Sequence, residues 1–174
     1  MPRCKHCKKK FQPIKFNQKY CLKPECVKVW VSLAKEKQWK TKKRKLKQEL
    51  KTNRDYIKEA QFWVNKYIRL RDKNNGCISC NEPLTKKYDA GHFFSAGGHG
   101  IIRFHEDNIH GQCVRCNQHE HGNIYNYQKK LIAKIGEERF AKLEKLSVGI
   151  KRWEKDELIE IIKKYKKLCK KLAQ

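Results

Sequence analysis

The residues of this chain best suited to chemistry are seven histidines and nine cysteines, and they are clustered. Six of the histidines fall between Cys77 and Asn123, a stretch that also carries the pairs Cys77/Cys80 and Cys113/Cys116. Within it stand Asp89-Ala90-Gly91-His92-Phe93 and the run from Asn108 through His110, Cys113 and Cys116 to Asn117-Gln118-His119. Hydrolysis of a phosphodiester needs a base to deprotonate water and a divalent cation to stabilise charge on the phosphorane and the departing oxygen. His92 is the candidate base, because a neutral imidazole with a reference pKa of about 6.5 accepts a proton near neutrality. Asp89, Asn117 and His119 offer oxygen and nitrogen donors suited to Mg²⁺ or Mn²⁺. On an extended strand Asp89 points to the face opposite His92, so it reaches a shared metal only if the backbone bends, which Gly91 permits. Arg103 could grip the scissile phosphate through its planar fork.

The cysteines read as a second kind of chemistry. A two-residue spacer lets both sulfurs of a pair reach one tetrahedral ion from a tight turn, and four thiolates close the coordination sphere. Cys77, Cys80, Cys113 and Cys116 are therefore expected to hold a structural Zn²⁺. Cys4, Cys7, Cys21 and Cys26, spaced C-x2-C-x13-C-x4-C, are expected to hold a second one. Cys169 lies in a helical apolar pattern and reads as a small core residue. His110 alternates with Asn108 along a short predicted strand, which puts both on one face; it reads either as a second metal or phosphate ligand or as a structural hydrogen bond to the zinc loop.

Gly91-His92, Asn108 five positions before a cysteine pair, and Cys116-Asn117 with a histidine close behind, framed by two C-x2-C pairs, resemble an HNH, or ββα-metal, endonuclease. The resemblance implies that His92 is the base, Asn108 the amide that orients it, and Asn117 or His119 the ligand of the catalytic metal. In many HNH enzymes an Asp or His directly precedes the base, whereas here that neighbour is Gly91. More narrowly, Asp-Ala-Gly-His-Phe, Arg103-Phe104, Asn-Ile-His-x-Gln-Cys-x-x-Cys-Asn-Gln-His and Gly122-Asn123 resemble the bacteriophage NinG (Rap) recombination proteins, and the N-terminal cysteine cluster with its Lys-rich helix fits them too. That likeness spans nearly the whole chain. It implies a phage protein of the bacterial host's cytoplasm that cuts branched DNA, such as D-loops and Holliday junctions, alongside other phage recombination proteins.

The elements that must position these residues follow from pattern and composition. The expected fold is α+β and mostly α: a zinc-braced ββα unit flanked by helices, preceded by a zinc knuckle and a basic helix. Residues 1–30 form the knuckle, 31–52 the Lys-rich helix or linker, and 53–174 the nuclease domain with its ββα core at 77–125. From about Val27 to Lys51 the chain lacks Gly and Pro and its apolar residues are sparse, which predicts a solvated helix. Thr52 or Asn53 caps an amphipathic helix through Ile57, Ala60, Val64, Tyr67 and Ile68, ended by Asn74-Asn75-Gly76. Helical faces recur at Tyr127, Leu131 and Ile135 before the stop at Gly136, at Phe140, Leu143 and Leu146, and at Leu158, Ile161, Ile162, Tyr165 and Leu168.

Charge points to a polyanion as partner. The 174 residues carry a net charge of +25, and residues 1–51, with 18 Lys and Arg against three acids, hold +15 of it. Lys42, Lys43, Arg44, Lys45 and Lys47 are the expected DNA grip. They suit phosphate contact rather than base readout, so shape or branch recognition is expected before sequence recognition. No run approaches the roughly 18 apolar residues of a membrane span, and the N-terminus lacks the apolar stretch of a signal peptide. A junction with two-fold related cut sites suits a homodimer. Two rival readings accompany the endonuclease: a non-catalytic zinc-containing DNA-binding recombination adaptor, and a sequence-specific HNH nuclease.

Overall fold

The computed structural model describes residues 1–173, which divide into two compact units, Met1–Lys51 and a second from Thr52 onward. The core of the first is small: Cys4, Cys21 and Cys26 are buried, with Cys7, Phe11 and Tyr20 packed against them. Helix α1, Pro24–Glu49, grows directly out of this knuckle and supplies Cys26, its one buried residue among those described. Pro24 suits the first turn because that position has no intrahelical use for an N–H. The helix thus begins a few residues earlier than its Lys-rich composition suggests, and Trp30, Trp39 and Leu46 stand exposed along it, as does Leu50 just past its end.

The second unit opens with α2, Asn53–Asp72, capped by Thr52: its Oγ1 accepts from Asp55 N at 3.3 Å while the Asp55 carboxylate accepts from Thr52 N at 3.0 Å. These reciprocal bonds satisfy two orphan donors at once. Tyr56, Ala60, Val64 and Ile68 form a buried stripe one turn apart. That stripe packs on Leu158, Ile162 and Tyr165 of α5, Lys155–Leu172, and on Ala90, Phe104 and Ile109. Ala90 and Ile109 come from the sheet, which has two antiparallel strands, β1 (Tyr88–His92) and β2 (Ile109–Cys113), with Ala90 opposite Gly111 and His92 opposite Ile109. A second core joins Ile78 and Ile102 to Tyr127 and Leu131 of α3, Ile124–Ile135, and to Phe140 and Leu143 of α4, Glu137–Ser147. Gly136, at φ 84°, ends α3 and caps α4 in a single residue, a backbone angle that favours glycine. No helix is long and apolar enough to cross a membrane among the described residues.

Two expectations shift. The last buried residue of α4 is Ser147, not Leu146, which is 45% exposed. The serine turns inward because its hydroxyl donates to Glu144 O at 2.7 Å and its carbonyl meets His99 Nδ1 at 2.9 Å. Helix α2 ends at Asp72, before the Asn-Asn-Gly signal, for a reason that concerns the site. Leu158→Ala, at a fully buried position, is expected to cost about 2–5 kcal/mol and to lower the melting temperature. Leu146→Ala is expected to stay within about 0.5 kcal/mol of the parent. Denaturant titration of the two variants checks the assignment of the core face.

Candidate functional site

Both cysteine sets converge. Within each, the four Sγ atoms all lie within 4.8 Å of one another, with cross-pair approaches that include Cys7–Cys21 at 3.7 Å and Cys80–Cys113 at 3.8 Å. A tetrahedral zinc with Zn–S bonds of about 2.3 Å sets neighbouring sulfurs about 3.8 Å apart, so these soft donors fit that ion in number, type and spacing. The two sites also share a local build. Cys4 N bonds Lys9 O and Cys77 N bonds Glu82 O; Lys8 N returns to Cys4 O and Asn81 N to Cys77 O. The residue after each second cysteine, Lys8 or Asn81, has a positive φ, and the bridges Arg3–Lys10 and Gly76–Pro83 close the turns in the same relative register. In each set the third cysteine's N–H donates to the first cysteine's sulfur at 3.4 Å.

The thiols respond to that crowding. Burial and the neighbouring cysteines push Cys26 up to about 12, and burial likewise raises Cys116. Burial also opposes ionisation of Cys4, but backbone N–H groups of Cys21, Cys7 and His6 outweigh it and bring that thiol down to about 6. His6 is nearer the cluster than a lone surface cation, with Nδ1 3.5 Å from Cys26 Sγ.

The second cluster borders the candidate site. His92 closes β1, with Nε2 3.1 Å from Arg103 O and 3.4 Å from Gln61 Nε2 of α2. Burial lowers its pKa and the charge of Arg103 acts in the same direction, so the imidazole is neutral at pH 7. Asn108 is fully buried: its Oδ1 accepts from Phe94 N at 2.8 Å, and its Nδ2 donates to Phe94 O at 3.0 Å and Ile102 O at 3.3 Å. One side chain therefore fixes both ends of the loop that leaves His92. Asn117 sits in a π-helical turn, Arg115–His119, and donates to Asp89 Oδ2 at 2.9 Å; Gln118 reaches the same oxygen at 2.7 Å.

The expected donors are thus partly assembled. Asp89 and Asn117 meet, and Asn108 lies beside the His92 loop. His119 stands exposed on its turn, and among the described residues Asp89, His92 and His119 do not gather as a ligand group. Gly91 does not supply a bend, since β1 stays in register through His92. Its small size serves a close approach instead: a Cβ there would lie 2.1 Å from Gln112 Oε1. Asn108 belongs to a 3-10 turn before β2 rather than to the strand it was expected to share with His110. Buried His110 meets the Tyr127 hydroxyl at 3.2 Å, and that hydroxyl donates to Gly91 O at 3.0 Å. Its role is that structural hydrogen bond, made to α3 rather than to the cysteine loop. Gln61 and Gln112 escape pattern reading; each keeps a buried Oε1 without a hydrogen-bond partner among the described residues. Arg103 is half-buried, and Lys42, Lys43, Arg44, Lys45 and Lys47 are exposed on α1.

These features define an α+β, mostly helical, strongly cationic protein organised by two four-cysteine clusters able to hold zinc. The chain belongs to the NinG family: the model of the bacteriophage lambda NinG protein matches residues 1–174. It is 35% identical to the ninG protein of Escherichia phage lambda over 192 residues, covering 98% of this chain and 92% of that one. It is equally identical to the ninG protein of Salmonella phage P22 over 194 residues, covering 98% and 93%. No solved structure matches.

Elemental analysis is expected to find two zinc ions per chain; Cys77→Ser should remove one and lower the melting temperature of the second unit. Acid should act through His110 as well. Burial holds its pKa at about 3, so the neutral side chain contributes stability that is complete above the free value of about 6.5 and is lost as pH falls toward 3. The melting temperature of His110→Gln is expected to fall less steeply than the parent's between pH 6 and 4.

Proposed function

We propose that the protein is a metal-dependent DNA endonuclease of phage recombination that acts on branched DNA in the host cytoplasm. The observation that carries this reading is the neutral, half-buried His92 at the end of β1, with its loop fixed by Asn108, and the Asp89–Asn117 pair, its Asp89 three residues earlier on the same strand, held from the Cys113–Cys116 turn. In it His92 takes the proton of the attacking water, and Asn108 keeps the imidazole oriented. Asp89 and Asn117, with His119, would hold Mg²⁺ or Mn²⁺ once the end of β1 and that turn adjust to bring them to the His92 face; the cation would supply positive charge for the phosphorane and the leaving oxygen. Arg103 contacts the scissile phosphate, and the basic face of α1 binds phosphates without reading bases. Homodimers would cut two-fold related positions, in company with other recombination proteins.

One observation favours the adaptor reading: the Asp89 carboxylate already accepts from two amides, a stable arrangement without any cation. Labelled four-way junction and linear duplex, each incubated with and without Mg²⁺ or Mn²⁺, separate the readings. Junction cutting that needs the cation is expected, and His92→Ala should lose it by at least 100-fold while junction affinity stays within about twofold. Binding without scission leaves the adaptor, and fixed cut sites on linear duplex leave a sequence-specific nuclease. Replacing Lys42, Lys43, Arg44, Lys45 and Lys47 by Ala should flatten the log K against log salt plot by about 0.9 for each phosphate contact removed.

A further inference from the structure

A groove of about 540 Å³ runs along α2 outside the candidate site. Clefts that hold ligands span roughly 300–1,000 Å³, so it has room for a nucleotide-sized group. Phe62 and Tyr88 are its aromatic walls. Lys66, Arg69 and Lys73 line it from α2, and Lys86 and Lys87 from the approach to β1; no acidic residue lines it. Among the described residues no carboxylate forms an ion pair with any of these five cations, whereas cations elsewhere in the second unit do, as in Lys166–Glu59 and Lys151–Glu157.

The aromatic walls are set rigidly. The Tyr88 hydroxyl donates to Arg69 O at 2.5 Å, which fixes the ring against α2. Phe62 meets Trp63 in a T-shaped contact at 5.3 Å and remains 55% exposed, so part of its ring is accessible. An accessible aromatic ring beside unpaired cations is the pairing that binds single strands: bases stack on the ring and phosphates meet the charges. A duplex hides its base faces and cannot use Phe62 in this way. Position adds a second reason. Phe62 follows Gln61, which touches His92, and Tyr88 precedes Asp89, so both walls are chain neighbours of the candidate site.

We infer that this groove binds an unpaired DNA segment, with a base stacked on Phe62 and phosphates on Arg69, Lys73, Lys86 and Lys87, and so delivers the single-stranded side of a branch to the site. The inference rests on the DNA-directed reading above and extends it to a surface distinct from the Lys-rich helix. Its test uses the full chain without added Mg²⁺ or Mn²⁺, so that binding is read apart from cutting. Affinity for fluorescein-labelled oligo-dT and for a duplex of equal length is measured by anisotropy over a salt series.

Phe62→Ala is expected to weaken oligo-dT binding by roughly tenfold, and Phe62→Trp to restore it, with duplex affinity within twofold throughout. Lys86→Ala with Lys87→Ala should lower the oligo-dT salt slope by about 1.4, whereas the control pair Lys129→Ala with Lys145→Ala leaves it unchanged. Irradiation with a bromodeoxyuridine oligonucleotide should place an adduct on Phe62 or Tyr88. Equal losses on duplex and single strand, adducts confined to residues 1–51, or displacement of oligo-dT by poly-glutamate as effective as by unlabelled oligo-dT would each overturn the inference. Wild-type protein that shows the expected binding but never cuts removes the endonuclease reading and leaves the groove standing.

Discussion

The buried carboxylate of Asp72 is the contact on which the geometry of the second unit depends. A two-stranded sheet is marginal in water by itself, and β1 and β2 are only five residues each. Asp72, 2% exposed, accepts from Gly111 N at 2.8 Å and so ties the middle of β2 to the last turn of α2. A carboxylate at a helix C-terminus opposes the helix dipole, and a buried one costs several kcal/mol unless paired. Arg71 supplies the pairing with two bonds of 2.8 Å and donates a third to Ile109 O at 2.9 Å. Burial would raise the Asp72 pKa, but Arg71, together with the Gly111 N–H and the charge of Lys134, more than offsets this and holds the carboxyl below its ordinary value. The fit is close: a Cβ on Gly111 would lie 2.7 Å from Leu84 Cδ1 and 3.0 Å from Asp72 Cβ. The helix therefore stops at Asp72 because this residue faces the strand, two residues before the turn-forming asparagines begin.

The cysteine clusters carry unequal shares of the work in the two units. In Met1–Lys51 the buried residues are cysteines with two aromatic neighbours, and α1 adds no apolar face of its own. Little apolar surface is buried there to offset chain entropy, so a metal held by the four thiolates would be coupled to the fold of that unit. From Thr52 onward two apolar cores exist, and the second cluster acts locally, fastening the Cys77–Cys80 knuckle to the end of β2. Its consequence for the candidate site lies in the next two residues, since the Cys113–Cys116 turn carries Asn117 and Gln118 to Asp89.

What pattern could reveal follows sequence distance. The cysteine spacings, the stripes of α2 and α5, and the importance of Asn108 are legible because each depends on neighbours a few positions away or on a motif that fixes them. Gln61 at His92, Gln112 over Gly91 and Asp72 on Gly111 are not, because each is a polar side chain that acts across a tertiary contact 20 to 40 residues distant. Gly91 illustrates the difference: glycine in a strand suggests a bend, yet here it makes room for the Gln112 side chain. Leu146 and Ser147 illustrate another limit, since helical periodicity cannot weigh a hydrogen bond to a loop against a buried methyl group.

Positive charge and a neutral base also reinforce one another. Cations near an imidazole disfavour its protonated form, so a field suited to a polyanion is also one that keeps His92 neutral. Burial does most of this at His92, with the charge of Arg103 acting in the same direction. An acidic surround would raise the imidazole pKa, and part of the base would be lost at neutral pH. In the nuclease reading proposed above, approaching DNA phosphates would raise the affinity of His92 for a proton at the step where water must be deprotonated. The excess of cations in this chain and the low basicity of its resting histidine are thus compatible demands, met by charge of a single sign.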